Sequence, residues 1–174
     1  IIESSKPDII LSGFDIAANL AITIAGAHMN IPVAHIQGGE VSGTIDESIR
    51  HAMSKFAHFH FASNEDACNR LIKMGEKKEN IFNVGCPSID ALLAVKDDPK
   101  CLERYNLSTP FFLVLQHPVT SEYDDALDQM QETIKALKQL KEDILIILPN
   151  NDAGYKSMIN EVNRANIKII DTLG

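Results

Sequence analysis

Residues 34–51 read AHIQGGEVSGTIDESIRH, and this stretch restricts the fold of the chain more than any other. A short apolar run at 31–36 closes on the pair Gly38-Gly39; Glu40 and a flexible Ser42-Gly43 follow, and Thr44 opens a helical pattern. Thr44 and Glu47 have the spacing of a capping box, in which the hydroxyl accepts from first-turn amides and the carboxylate reaches back to the cap. A buried strand therefore opens at its carboxyl end into a polar turn that feeds a helix. In parallel α/β sheets that is where ligands bind, because loops and helix N-termini converge there. Glu40, Asp46, Glu47, Arg50, His35 and His51 all crowd this turn, a density of chemistry that no linker needs.

The same alternation runs through the rest of the chain. Residues 9–12, 80–84, 111–115, 144–148 and 167–170 read as short apolar strands, and 58–61 (HFHF) as a strand by its polar/apolar alternation. Helices are predicted from Asp15 to about 29, from Thr44 to about 57, and from a Ser63/Asp66 cap to 74, where Gly75 ends the helix. Further helices are predicted over 88–95, 122–140 and 155–165, the one over 122–140 with a core stripe of Leu127, Met130, Ile134 and Leu137. Strands that alternate with helices call for α/β parallel sheets with flanking helices and right-handed crossovers. The pattern weakens only at 96–110, where Asp97-Asp98-Pro99 and Ser108-Thr109-Pro110 carry turn chemistry around a short helix. This divides the chain into 1–96, a linker region at 97–110, and 111–174.

Composition narrows the function classes. Of the 174 residues 45% are hydrophobic, enough for a real core. A net charge of -8 argues against a surface built for nucleic acid or acidic membranes, and leaves anionic small molecules that a helix N-terminus can hold. Cys68, Cys86 and Cys101 are odd in number and lack metal-ligand spacing, so they read as free thiols of a reducing compartment. With no signal peptide and no apolar run of membrane-spanning length, a cytoplasmic location is expected. The glycine fingerprints of dinucleotide and ATP sites are absent. The chain starts at Ile1 without an initiator methionine and stops at Gly174 just after a strand-like run, and is expected to be a fragment of something longer.

Four segments, HIQGGEVSGTIDESIRHAMSKFAH, VGCPSIDALL, LQHPVT and LPNNDAG, resemble in sequence and order the UDP-N-acetylglucosamine 2-epimerases, specifically the hydrolysing branch used in sialic-acid-type biosynthesis. The first segment is highly specific, and together they span most of the chain. The resemblance implies a GT-B architecture, two Rossmann-like domains with the nucleotide sugar between them. Residues 1–96 would then be the later part of the N-terminal domain and 111–174 the opening part of the C-terminal one. It also implies a UDP-sugar substrate, no metal or redox cofactor, and a homodimer at full length. The implied reaction removes the C2 proton, expels UDP through a glycal and adds water. Carboxylates in a partly desolvated cleft suit both proton transfers.

Each candidate residue carries a plainer alternative. Asp15 matches a family acid/base aspartate, and equally suits an N-cap. Glu40 is a site carboxylate or a solvated loop residue. Asp46 is catalytic or a helix-start acid whose charge the dipole stabilises. Glu47 is most simply the capping-box partner. Arg50 either orients a catalytic carboxylate or pairs with Asp46 at i,i+4. Gly38 and Gly39 let a ligand approach the backbone. His117 resembles a nucleotide contact, and Asn150 either bonds nucleotide or sugar or shapes its turn with Asp152 and Gly154. His58 and His60 are explained by packing or a backbone bond.

Two positions depart from the family pattern. Ile16 follows Asp15 where an arginine is usual, and Gln37 stands where many relatives have glutamate. A neutral amide cannot take a proton, so Glu40 or Asp46 carries that duty or the substrate differs, a diacetamido sugar nucleotide being compatible. A GT-B glycosyltransferase and a non-catalytic nucleotide-sugar-binding module are the alternative readings.

Overall fold

Short β-branched runs and amphipathic segments build two units, Ile1–Val95 and Lys96–Gly174. The computed structural model describes residues 1–14, 16–96, 98 and 100–170. In the first unit, α1 (Ile2–Ser5) precedes β1 (Ile10–Gly13), α2 (Ala17–His28), β2 (Val33–Ile36) and α3 (Ile45–Phe56). Then come β3 (Phe59–Ala62), α4 (Glu65–Lys73), a 3-10 turn, β4 (Ile81–Asn83) and α5 (Pro87–Ala94). The second unit carries α6 (Cys101–Arg104), β5 (Phe111–Leu115), α7 (Ala126–Leu137), β6 (Asp143–Ile147), α8 (Tyr155–Arg164) and β7 (Lys168–Ile170).

Both sheets are parallel, ordered β1-β2-β3-β4 and β5-β6-β7. Sequential order with right-handed crossovers puts the connecting helices on one face of each sheet and brings every strand's carboxyl end to one edge. In the second unit that helical face packs as Ala126, Met130, Ile134, Leu137, Ile146, Met158, Val162 and Ala165. In the first, Ala62, Ala67, Cys68 and Leu71 close the core beneath α4.

Several boundaries differ from the sequence expectation for identifiable reasons. The apolar run at 31–36 is a strand only from Val33, because Pro32 has no N–H for the ladder; its carbonyl instead accepts from Ile10 N–H (2.8 Å). The expected helix over 122–140 starts at Ala126 after a 3-10 turn, Thr120–Asp125, in which Glu122 is non-helical. The buried stripe explains this: it begins with Ala126, not Leu127, so nothing earlier anchors a helix.

Caps differ too. Ile16 occupies the cap position of α2 and offers no side-chain bond. At α4 the cap is Asn64, accepting from Ala67 N–H at 2.9 Å, rather than Ser63. The stretch 101–108, read as part of a linker, is stitched to the second unit. Lys168 Nζ donates to the carbonyls of Tyr105 and Asn106, and Ser108 N–H to Asp143.

Candidate functional site

Where β2 ends, the chain makes the turn that carries Gln37, Gly38, Gly39 and Glu40. Gln37 adopts a left-handed conformation (φ 60°), rare for a non-glycine residue, and its N–H donates to Phe61 O (2.8 Å). Gly38 lies against His35 and Ser54: a Cβ there would sit 2.8 Å from His35 Nδ1. Gly39 (φ 85°) passes under α4, and a Cβ would sit 2.5 Å from Ala67 O. The glycines expected to admit a ligand thus have a packing reason of their own, since the space beside each Cα is already filled by protein.

Two guanidinium groups hold this turn by its main chain. Arg50 Nη1, from α3, donates to Glu40 O (3.0 Å), and Arg70 Nη1, from α4, donates to Gly39 O. The Glu40 carboxylate accepts from the Ser63 hydroxyl. Glu40, Val41, Ser63, Asn64, Asp66, Ala67, Arg70 and Cys86 line an open cleft of about 460 Å³. Its walls come from the turns after β2, β3 and β4, as expected at the carboxyl edge of a parallel sheet.

The capping box of α3 is not made as the sequence suggested. Thr44 occupies the cap position, but its hydroxyl donates to Asp46 Oδ2 (3.0 Å). Glu47 Oε2 accepts from Ser42 N–H and Gly43 N–H, both at 2.9 Å. Those two amides, Gly43 first, hold the Glu47 carboxyl below its ordinary range. Glu47 therefore fastens the loop one step earlier than a capping box would. Behind the turn, Ser54 Oγ donates to Arg50 O (3.1 Å), so buried His35 is the donor in its 3.1 Å contact with that hydroxyl.

Cys86 occupies the cap position of α5, with no side-chain cap bond formed; amides of the first turn, Ile89 before Ser88, lower its thiol pKa while Glu40 opposes them. Its sulfur accepts from Gln37 Nε2 at 3.2 Å. All three cysteines are free, and burial raises the Cys68 thiol.

In the second unit His117 and Asn150 meet after β5 and β6. Asn150 N–H donates to His117 Nδ1 (3.0 Å), which leaves the proton of a neutral imidazole on Nε2. The Asn150 side chain is engaged with Asp152, its Nδ2 donating to Oδ2 at 2.6 Å, so its visible role is to shape the turn and orient the histidine.

The structure therefore gathers Gln37, Gly38, Gly39, Glu40, Asp46 and Arg50 at one turn and the helix it feeds, and pairs His117 with Asn150 separately. Asp15 lies outside the described residues. Sequence reasoning passed over Ser63, Asn64, Arg70 and Cys86 as cleft residues. The available signal was position: Ser63, Asn64 and Cys86 follow β3 and β4 as Glu40 follows β2. Among the described residues no group of three His, Cys, Asp or Glu side chains could hold a metal, and no helix is long and apolar enough to cross a membrane.

The family model for UDP-N-acetylglucosamine 2-epimerase matches residues 1–174. The chain is similar to the UDP-N,N'-diacetylbacillosamine 2-epimerase (hydrolyzing) of Legionella pneumophila, with 39% identity covering 99% of this chain and 48% of that protein. It is 36% identical to the UDP-N-acetylglucosamine 2-epimerase of Neisseria meningitidis, covering 90% of this chain and 42% of the relative. The chain thus spans about half the length of the curated relatives it matches. In fold it resembles the Methanocaldococcus jannaschii UDP-GlcNAc 2-epimerase solved with UDP-GlcNAc and UDP (TM-score 0.78, 22% identity, 99% of this chain and 52% of that one). The fold class is accordingly α/β, parts of two Rossmann-like domains of the GT-B type. By its sequence, matched over its whole length, the chain belongs to the UDP-N-acetylglucosamine 2-epimerase family.

Proposed function

We propose that the protein to which this chain belongs is a hydrolysing nucleotide-sugar 2-epimerase, acting on UDP-N-acetylglucosamine or a related diacetamido sugar nucleotide. It deprotonates C2, eliminates UDP and adds water to the glycal. The observation that carries this reading is the β2 turn: two arginines fix its main chain, and Glu40 stands in the cleft with its carboxylate held by Ser63. Carboxylates there suit proton transfer at carbon, and we assign that work to Glu40 and Asp46 together with Asp15. Gln37, Gly38, Gly39 and Arg50 shape the sugar side. His117, fixed as an Nε2–H donor, contacts the nucleotide, with Asn150 behind it. In this reading 1–96 and 111–174 belong to the two domains, and the full-length enzyme is a cytoplasmic homodimer.

The test is product analysis with the full-length enzyme. UDP and free 2-epimer should appear together without any acceptor, and Glu40→Gln should lower kcat by about 100-fold or more with folding retained. An acceptor requirement would mark a glycosyltransferase, and binding without turnover a regulatory module; either result overturns the proposal.

A further inference from the structure

The contact between Gln37 and Cys86 joins two turns that are 49 residues apart in sequence. Gln37 is strained: a long side chain at φ 60° persists only where its surroundings over-determine it. Two bonds do so here. Its N–H is taken by Phe61 O on the neighbouring strand, and its Nε2 by Cys86 Sγ on the wall of the cleft. Cys86 in turn sits at the cap position of α5, where the nearby amides of Ile89 and Ser88 favour negative charge on the sulfur although no side-chain cap bond is formed. An amide is the side chain that matches such a partner, because it brings a hydrogen to donate. A glutamate at position 37 would have none, and would set a second negative charge against the sulfur.

We propose that Cys86 is a positioning residue: its sulfur holds the Gln37 amide, fixing the strained turn after β2 to the amino end of α5, so that glutamine at 37 and cysteine at 86 act as a matched pair. The importance of the pair for the reaction rests on the β2 turn being part of the epimerase site; the contact itself does not. Orientation follows as well, since an amide whose nitrogen is committed to sulfur offers its oxygen, an acceptor, to anything on its other side.

The test is the pH profile of Cys86 alkylation by iodoacetamide, read residue by residue by mass spectrometry between about pH 5 and pH 9. Gln37→Asn tolerates the left-handed backbone but is too short to reach the sulfur, and should move the Cys86 midpoint upward by about half a pH unit. Gln37→Glu should move it further in the same direction. Buried Cys68 provides the folding control in the same samples, since it stays protected while the first unit is folded. If one variant exposes Cys68, the other carries the comparison. Superimposable Cys86 profiles in wild type and a folded variant would overturn the proposal. Thiol titration needs no turnover, so loss of the epimerase reading leaves this test intact.

Discussion

Gly39 shows how a single residue carries the site. Two independent constraints meet there, a left-handed φ of 85° and a Cβ position 2.5 Å from the carbonyl of Ala67. Because the obstacle is backbone on α4, it cannot swing aside, and Gly39→Ala should cost about 3 kcal/mol. Gly75 has the same handedness (φ 91°) with nothing within 4 Å, so Gly75→Ala should cost only about 1 kcal/mol. Urea denaturation of the two variants separates the steric from the conformational contribution, and equal losses would show that the close approach is relieved. Caps give a second contrast. Asn64→Ala removes a formed cap bond and should cost about 1 kcal/mol. Thr44→Ala removes a hydroxyl that caps nothing and should cost less than half of that. The sequence pointed to Thr44 and not to Asn64, because a capping motif records which residues are able to cap. Loop geometry decides which of them does.

At the level of elements, the first sheet buries an unusual polar row. Ser12, His35 and His60 lie side by side in register on β1, β2 and β3, and all are buried. Each finds a partner on the covering helices or the segment after them: Ser12 accepts from Thr23 (2.8 Å), His35 meets Ser54, and His60 Nε2 faces Glu76 (3.3 Å). Glu76 also holds Lys55 of α3 at 2.6 Å. His60 Nδ1 is buried without a partner, and desolvation holds the ring pKa below its ordinary 6.5 although Glu76 pulls the other way. The sign follows. A histidine kept neutral in the fold contributes stability that is fully present above 6.5 and is lost as pH falls through the lower folded value. Melts of wild type should therefore weaken between about pH 7.5 and about pH 5, by at most about 1.4 kcal/mol per pH unit from this group. His60→Gln keeps a donor for Glu76 and should flatten that slope; an unchanged slope would assign the effect elsewhere. The alternation around His58 and His60 was readable as a strand, and backbone bonding does explain His58, whose Nδ1 accepts from Val33 N–H at 3.2 Å. The partner of His60 was not readable, since Glu76 follows a helix and a turn that only the fold returns to this place.

For the whole molecule, the chain covers 48% of its Legionella relative, while the proposed chemistry draws on residues of both units. The 174-residue chain alone is therefore expected to release no UDP under conditions where the full-length enzyme does, as a coupled UDP assay would report. Turnover by the chain alone would place the complete site within these residues. In the proposed reading, a net charge of -8 would leave binding of an anionic nucleotide to local donors such as backbone amides and the His117 Nε2–H rather than to the overall field.

Alternation along the chain was enough to read the α/β fold and to single out the turn at 37–40 as the candidate site. Periodicity is a local property, so alternating strands and helices imply parallel sheets, and a strand ending in Gly38-Gly39-Glu40 marks a carboxyl edge. Which side chains meet at that turn follows from the folded arrangement. Arg70 reaching the turn, Ser63 holding Glu40 and Cys86 holding Gln37 are contacts across strands, and no local pattern encodes them. They exist because parallel strands in sequential order deliver three separate turns to one edge of the sheet.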